Sequence, residues 1–334
     1  MSIRRKGGRI KRRSSNDGLK MDQSETPCVR AFYHSLSGAV QYVVSDPATK
    51  ECAIIDPVLD FDIESGRFHT GNVEVLLDYI CANRLRTRWI LDTHPHADHV
   101  SASGYLSQVT KAPTGIGKSV LKMQRLWNDI FNIGTLRTDG SQWDRLLDHG
   151  DTINIGGLAL TAAAAAGHSL GSVSYLIGDA AFIHDTLMMP DSGTARCDLP
   201  GGNPNVLWHT IQAILRLPQD TRLFIGHDNR PNGRKARWET SVRAQAETNI
   251  DLVGKDLTSF VALRNQRDKQ LLLPRLMLAA LQINLNGGRL PFTDRIFDGY
   301  PGVGPEVNQR PAVGRALDMP RYWQARNASA GMEK

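Results

Sequence analysis

The segment THPHADH, residues 93–99, places three histidines and an aspartate within six positions, directly after the apolar run WIL. Such a cluster makes poor core material, because every buried polar group needs a hydrogen-bonding partner. Neutral imidazole is a good ligand for Zn²⁺ and Fe²⁺, and a carboxylate adds negative charge and a hard oxygen donor. The segment therefore predicts a metal site at the end of a buried strand, with the candidate ligands His94, His96, Asp98 and His99.

Three later segments also end apolar runs in metal-capable residues: GHS at 167–169, HDT at 184–186 and GHD at 226–228. A single histidine of this kind is more typical of a hydrogen-bonded structural residue, but four such segments in one chain indicate a shared centre. They add His168, Asp185 and His227 to the candidates. The candidate set contains no cysteine, which disfavours a structural zinc site and favours a catalytic metal with open positions.

Strand and helix patterns alternate along the chain. Alternating or continuous apolar runs predict strands near 40–55, 87–92, 150–187 and 221–226, and helical spacing predicts helices at 72–85, 119–131 and 203–218. Polar clusters recur where the strands end. This pattern predicts a layered α/β or α+β fold with its functional site at the rim of a sheet.

The net charge of +6 is concentrated at the N-terminus, since residues 1–20 hold eight basic residues and one aspartate. The remainder is nearly neutral, which makes nucleic acid an unlikely partner. The longest apolar run, LALTAAAAAG, is far shorter than the roughly 18 residues of a membrane span.

Four scattered cysteines without a CxxC pair favour a reducing, cytoplasmic location. An organelle matrix is the alternative if the basic arm is a targeting peptide.

THPHADH, GHSLGSVSY, HDTL and GHD resemble the metal motifs of the metallo-β-lactamase superfamily. The resemblance implies a four-layer αββα sandwich of the α/β (α+β) class, with the metal at the edge between two sheets. Within the superfamily, HDTLMMPDSGTARCDLPGG, GHDNRPNGRKARWETSVRAQ and LPRLMLAALQINLNGGRLP resemble the persulfide dioxygenase branch, which is related to glyoxalase II. That branch implies O₂-dependent oxidation of a small persulfide, such as glutathione persulfide, to sulfite and thiol.

The same resemblance implies one iron(II) per chain, held by the catalytic ligands His94, His168 and Asp185. The other four candidates, His96, Asp98, His99 and His227, would then orient the ligands. The glyoxalase II alternative uses all seven residues to bind two metal ions such as zinc, with Asp185 between them, and hydrolyses a thioester. The ligand inventory does not separate the two, and the downstream segments favour the dioxygenase.

The two carboxylates of glutathione call for arginine or lysine. Residues 229–237 offer Arg230, Arg234, Lys235 and Arg237, although a solvated charge run is the alternative interpretation. Arg196 and Asp198 are candidates for a structural or substrate-orienting pair. Cys197 between them is either a small buried residue or a reactive thiol. His184 stands where similar proteins often have glycine, and either hydrogen-bonds the site or packs beside it.

The predicted organisation has four parts. They are a disordered basic extension at 1–27, a metallo-β-lactamase-like catalytic domain at 28–245, a helical segment packed on the sandwich at 246–290, and a poorly ordered tail at 291–334. The apolar run 271–285 indicates either core or a homodimer interface.

Overall fold

The computed structural model describes residues 26–290, which form fifteen β-strands and seven α-helices. The strands are β1 (Cys28–Tyr33), β2 (Val40–Ser45), β3 (Glu51–Ile55), β4 (Val58–Asp62), β5 (Arg67–His69), β6 (Arg86–Leu91), β7 (Val100–Ser101), β8 (Thr114–Gly117), β9 (Arg145–Leu147), β10 (Thr152–Ile155), β11 (Leu158–Ala164), β12 (Val173–Ile177), β13 (Ala180–His184), β14 (Arg222–Ile225) and β15 (Glu239–Ser241). The helices are α1 (Gly71–Ala82), α2 (Ser103–Thr110), α3 (Val120–Phe131), α4 (Pro204–Leu215), α5 (Val242–Thr248), α6 (Leu257–Asp268) and α7 (Met277–Asn284).

Two six-stranded sheets face each other across the main core. Their strand orders are β1-β2-β3-β6-β8-β9 and β10-β11-β12-β13-β14-β15. Tyr42 from the first sheet meets Phe182 and Phe224 of the second, with ring centroids 5.2 and 5.5 Å away. The strands β2, β12 and β13 are buried on both faces, which explains why their sequences are mostly apolar and do not alternate with exposed polar residues.

Helices cover the outer face of each sheet. On the first sheet, Ile54 and Ile90 share a cluster with side chains of α1, α2 and α7. On the second, Ile183 and Leu223 share a cluster with side chains of α4, α5 and α6. The four layers are therefore helix, sheet, sheet and helix, which confirms the predicted αββα sandwich.

Parallel pairing brings the ligand-bearing segments to one edge. Strand β3 runs parallel to β6, and β13 runs parallel to β14. Parallel strands end at the same side of a sheet, so the residues that follow them meet there. Asp56, His94, Asp185 and His227 each end or closely follow one of these four strands.

A glycine turn between β11 and β12 positions His168. Gly167 has φ 138°, and a Cβ added to it would lie 2.3 Å from Leu207 Cα, so only glycine fits this close approach to α4. The amide of Asn203, the N-cap of α4, donates to the carbonyl oxygen of Gly167. The side chain of Asn203 accepts from the amides of Asn205 and Val206, which fixes where the helix begins.

The predicted extension at 1–27 and tail at 291–334 lie outside the described residues, apart from residues 26 and 27. The predicted boundary between 245 and 246 falls inside α5. In the run 271–285, the residues from 277 to 284 form the largely buried α7, whereas Leu271, Leu272 and Leu273 are exposed. Within the described residues, no helix combines the length and apolar character needed to cross a membrane.

Candidate metal centre

The seven predicted ligands form three candidate groups at the sheet edge, and the first consists of His94, His168 and Asp185. Nε2 of His94 and Nε2 of His168 each lie 3.8 Å from Oδ2 of Asp185. The buried Nε2 of His94 has no hydrogen-bond partner among the described residues. Two atoms bound to one ion at about 2.1 Å can be at most about 4.2 Å apart, so these separations suit a shared metal. A buried nitrogen without a hydrogen-bond partner that faces a carboxylate oxygen has the geometry of a metal ligand, and Nε2 of His99 is buried without a partner in the described part of the chain as well.

Backbone and hydroxyl contacts orient both imidazoles. Nδ1 of His168 donates to the carbonyl oxygen of Arg196 over 2.9 Å, which leaves the lone pair on Nε2. Nδ1 of His94 lies 3.1 Å from Oγ1 of Thr93, and that hydroxyl donates to Oδ2 of Asp56 over 2.8 Å. The backbone amide of Thr93 donates to the other oxygen of Asp56. Asp56 and Thr93 were not predicted from the sequence as functional residues. Their signal was the same as for the ligands, a polar residue directly after an apolar strand.

The charge states of this set suit metal binding. Burial lowers the pKa of His94 well below its ordinary value, and the neighbouring His96, His168 and His184 lower it further. For Asp185, burial opposes ionisation, but the His227 charge and hydrogen bond bring the pKa well below its ordinary value. The set therefore combines a neutral imidazole with an ionised carboxylate, which are the forms that bind a metal ion.

Among the other four predicted ligands, each of the three histidines lies beside a carboxylate. Nε2 of His96 is 3.1 Å from Oδ1 of Asp56, and the pKa of His96 is raised to about 9, since this carboxylate outweighs burial. Asp98 Oδ2 accepts from Nδ1 of His99 over 3.0 Å and lies 2.5 Å from Nε2 of His227. Nδ1 of His227 also lies 2.9 Å from Oδ1 of Asp185. Asp98 is therefore shared between His99 and His227, and Asp56 is the partner of His96.

Two further groups could still hold an ion. Asp98 groups with His96 and His99, and separately with Asp185 and His227, with ligand atoms within 4.8 Å of one another in each group. His99 does not join the second of these groups, and its ring centroid lies 6.0 Å from that of His227. The geometry thus offers two groups of two histidines and one carboxylate, and in the second of them Asp98 is also paired with His227.

A mainly apolar pocket adjoins the centre. The two ligands His94 and His168 form its floor, and the walls come from Pro95, Ala97, Met123, Trp127, Ser169, Leu199, Pro200 and Leu281. Among residues 26–290, no arginine or lysine lines it. Sequence reasoning missed these walls, because Met123 and Trp127 have the spacing of an ordinary buried helix face. The pocket can receive an uncharged or weakly polar group next to the metal position.

The predicted substrate-binding residues Arg196 and Asp198 are hydrogen-bonded to each other in the structure. Arg196 contacts Asp198 through two hydrogen bonds, Nε to Oδ1 at 2.7 Å and Nη2 to Oδ2 at 2.6 Å. Its Nη1 donates to the carbonyl oxygen of Leu272. Burial raises the pKa of the Cys197 thiol to about 12, which makes this residue a poor nucleophile. This loop therefore supports His168 through the Arg196 carbonyl group.

The four basic residues at 230–237 lie outside the pocket lining. Arg234 spans two carboxylates, with Nε 2.6 Å from Asp191 Oδ2 and Nη1 2.6 Å from Asp228 Oδ2. Arg237 also reaches Asp191, over 2.7 Å. The two that do not reach a carboxylate of the described residues are the exposed Arg230, above the ring of Tyr33, and the exposed Lys235.

Comparison with known proteins extends these findings. The family model of the metallo-beta-lactamase superfamily matches residues 36–227. A beta-lactamase hydrolase-like protein of Xylella fastidiosa is 55% identical over 82% of this chain and 63% of its own length. The chain therefore spans less than two thirds of that relative.

More distant matches have more specific names. Glyoxylase B2 of Dictyostelium discoideum is 38% identical over 79% of this chain and 91% of its own length. The mitochondrial persulfide dioxygenase ETHE1 of Homo sapiens is 29% identical over 60% of this chain and 68% of its own. The solved structure of ETHE1 from Myxococcus xanthus covers 78% of this chain and all of its own, with a TM-score of 0.63 and 28% identity. Because the family model covers more than half of the chain and the sandwich carries its ligands at the expected edge, this protein belongs to the metallo-beta-lactamase superfamily.

Proposed function

We propose that this protein is a mononuclear non-haem iron(II) dioxygenase that oxidises a low-molecular-weight persulfide, most simply glutathione persulfide. The reaction consumes the persulfide, O₂ and water, and yields sulfite and the thiol. The observation that carries the proposal is the division of the seven candidate ligands. Nε2 of His94 and of His168 face one oxygen of Asp185 at 3.8 Å, whereas His96 lies 3.1 Å from Asp56, and His99 and His227 lie 3.0 and 2.5 Å from Asp98. The similarity to persulfide dioxygenases supports the same assignment.

Two imidazoles and one carboxylate leave three positions of an octahedral ion open, the arrangement used by non-haem iron(II) oxygenases. When bound, iron(II) would supply the open positions and the redox capacity that O₂ chemistry requires. The protein would supply the rest. Thr93 and Asp56 hold the His94 ring, and the Arg196 carbonyl group fixes the tautomer of His168.

The cavity has a volume of about 20 Å³, so its walls would surround only the terminal atoms of the persulfide next to the metal. Trp127, Met123 and Leu281 are among its apolar wall residues. Carboxylates of a glutathione carrier would have to lie beyond the pocket, where Arg230 and Lys235 are exposed. Arg234 is an anchor for Asp191 and Asp228 in this assignment and does not bind substrate.

A thioester hydrolase of the glyoxalase II kind is the second candidate. The group Asp98, Asp185 and His227 favours it, because Asp185 would then lie between two metal ions. The similarity to Glyoxylase B2 also supports it. In that reaction the two metal ions would supply a hydroxide nucleophile for thioester hydrolysis, and no O₂ would be consumed.

The two functions can be separated on one preparation of the full chain. We expect O₂ uptake that depends on glutathione persulfide and produces sulfite, with no hydrolysis of a glutathione thioester such as S-lactoylglutathione. His94→Ala should abolish O₂ uptake, and His209→Ala, which changes an exposed histidine on α4, should leave it unchanged. Thioester hydrolysis without O₂ uptake would overturn the dioxygenase and support the hydrolase.

A further inference from the structure

His184, at the end of β13, has an unfavourable backbone conformation. Its φ is 42°, in the left-handed region that residues with a side chain rarely adopt. The pairing of β13 with β14 shifts register between Phe182 and His184, which marks a β-bulge. Bulges near functional sites re-aim the side chains that follow them, and the residue that follows here is the candidate ligand Asp185. A strained residue persists where its surroundings compensate for the strain.

The side chain of His184 is buried against the metal centre. Its ring centroid lies 5.3 Å from that of His94, with the planes inclined by 55°. Its Nε2 lies 3.0 Å from Oγ1 of Thr186, which also flanks Asp185. Its Nδ1 has no hydrogen-bond partner among the described residues. An orphaned buried nitrogen is unfavourable for folding, so this imidazole adds a second local penalty to the backbone strain.

The same residue holds the backbone that carries Asp185. The amide of Gly226 donates to the carbonyl oxygen of His184 over 3.0 Å, across the junction of β13 and β14. A Cβ added to Gly226 would lie 2.4 Å from Oδ1 of Asp185, so this carboxylate fits closely against the neighbouring strand. The aim of Asp185 therefore depends on the shape of the bulge.

We propose that His184 is a positioning residue of the metal centre: its imidazole fixes the His94 ring and, with Thr186, holds the bulge that aims Asp185. It is not a ligand, because it belongs to none of the three candidate ligand groups. The inference rests on the metal centre but not on which reaction that centre catalyses. It also explains why a residue that is locally unfavourable for folding occupies this position.

Two variants separate the imidazole from the strain. His184→Ala and His184→Gly both delete the ring, but only glycine adopts the positive φ without strain. We expect the glycine variant to have the higher unfolding midpoint of the two in the metal-free state. Both should bind Co²⁺ at least about tenfold more weakly than the unchanged protein, as is typical when support of a ligand is lost. Both should also show an altered Co²⁺ absorption spectrum.

A third variant tests positioning directly. His184→Asn keeps a planar polar group and tolerates a positive φ, so it should recover part of the Co²⁺ affinity lost in His184→Gly. If all three variants bind Co²⁺ with the affinity and spectrum of the unchanged protein, the proposal is wrong and His184 only fills space. If the unchanged protein itself fails to bind Co²⁺, the metal centre is wrong, and both proposals fall with it. Persulfide oxidation is not needed for either result, so the two proposals can fail separately.

Discussion

His168 Nδ1 donates a 2.9 Å hydrogen bond to the backbone carbonyl oxygen of Arg196, and this contact joins the metal centre to the loop at 194–199. The loop is held in turn by the Arg196 side chain, which contacts Asp198 and the carbonyl oxygen of Leu272. Arg196, which could be taken for a substrate-binding residue, thus mainly orients the candidate ligand His168. Its main chain orients His168, and its side chain keeps that main chain in place.

Replacing Arg196 should therefore weaken metal binding rather than substrate binding. We expect Arg196→Ala to lower Co²⁺ affinity several-fold, and Arg196→Lys to recover only part of it, because lysine lacks the planar two-point contact with Asp198. Competition with a chelator of known affinity measures this. A raised KM for persulfide with unchanged metal affinity would show instead that the guanidinium group binds substrate.

The hydroxyl of Thr93 connects Asp56 to His94, so we expect it to contribute more to metal affinity than the size of the Thr93 side chain does. Thr93→Val keeps the shape but removes the link, so we expect about a 10- to 100-fold loss of Co²⁺ affinity. Thr93→Ser keeps the hydroxyl and should stay within a few-fold of the unchanged protein. Equal affinities for the two variants would contradict a role for this hydroxyl in orienting His94.

The ion pairs of Asp191 predict a pH-dependent contribution to stability. The hydrogen bond from Arg234 holds the pKa of Asp191 below its ordinary value of about 4. The stabilisation is therefore fully present above that ordinary value and is lost as the pH falls through the lower folded-state pKa. In metal-free protein, Asp191→Asn should lower the urea midpoint at pH 7, and the difference from the unchanged protein should shrink toward pH 3. A difference that is constant with pH would show that the charge of Asp191 contributes nothing.

Cysteine reactivity tests whether Cys197 takes part in chemistry. Burial raises the pKa of Cys197 to about 12 and that of Cys52 to about 11, whereas Cys28 and Cys81 are exposed. Only thiolate reacts, so iodoacetamide at pH 8 should modify the exposed pair in folded protein and all four in urea. We expect O₂ uptake to survive the first treatment, and Cys197→Ala to retain activity. Rapid alkylation of Cys197 in folded protein, identified by peptide mapping, would contradict an inert role.

The layers were predicted correctly from the sequence, and the candidate ligands could be named from it, because both leave local signals. Buried strands appear as apolar runs, and His94, Asp185 and His227 appear as polar residues directly after such runs. Long-range pairing leaves no such signal. Arg234 looked available for substrate because its partner Asp191 lies 43 positions away in the chain. Asp56 was missed because one carboxylate after a strand is common, and only folding brings it next to Thr93 and His96.

The pocket was hidden for a related reason. Met123 and Trp127 have the spacing of a core helix face, and both are in fact buried. Their second role depends on α3 approaching the His168 turn, which no local pattern encodes. His184 shows the opposite case, since its identity next to Asp185 was visible, but its positive φ and its contact with His94 exist only in the folded chain.

The most direct test of the proposed function is the iron content per chain of protein reconstituted with Fe²⁺ without oxygen, measured together with its persulfide-dependent O₂ uptake. We predict about one iron per chain at full activity, with both iron and activity lost in His168→Ala. In Asp98→Asn, which changes a residue outside the three proposed iron ligands, we predict that the stoichiometry stays near one. Full activity that requires two metal ions per chain, with the second lost in Asp98→Asn, would contradict a mononuclear centre and favour the binuclear hydrolase.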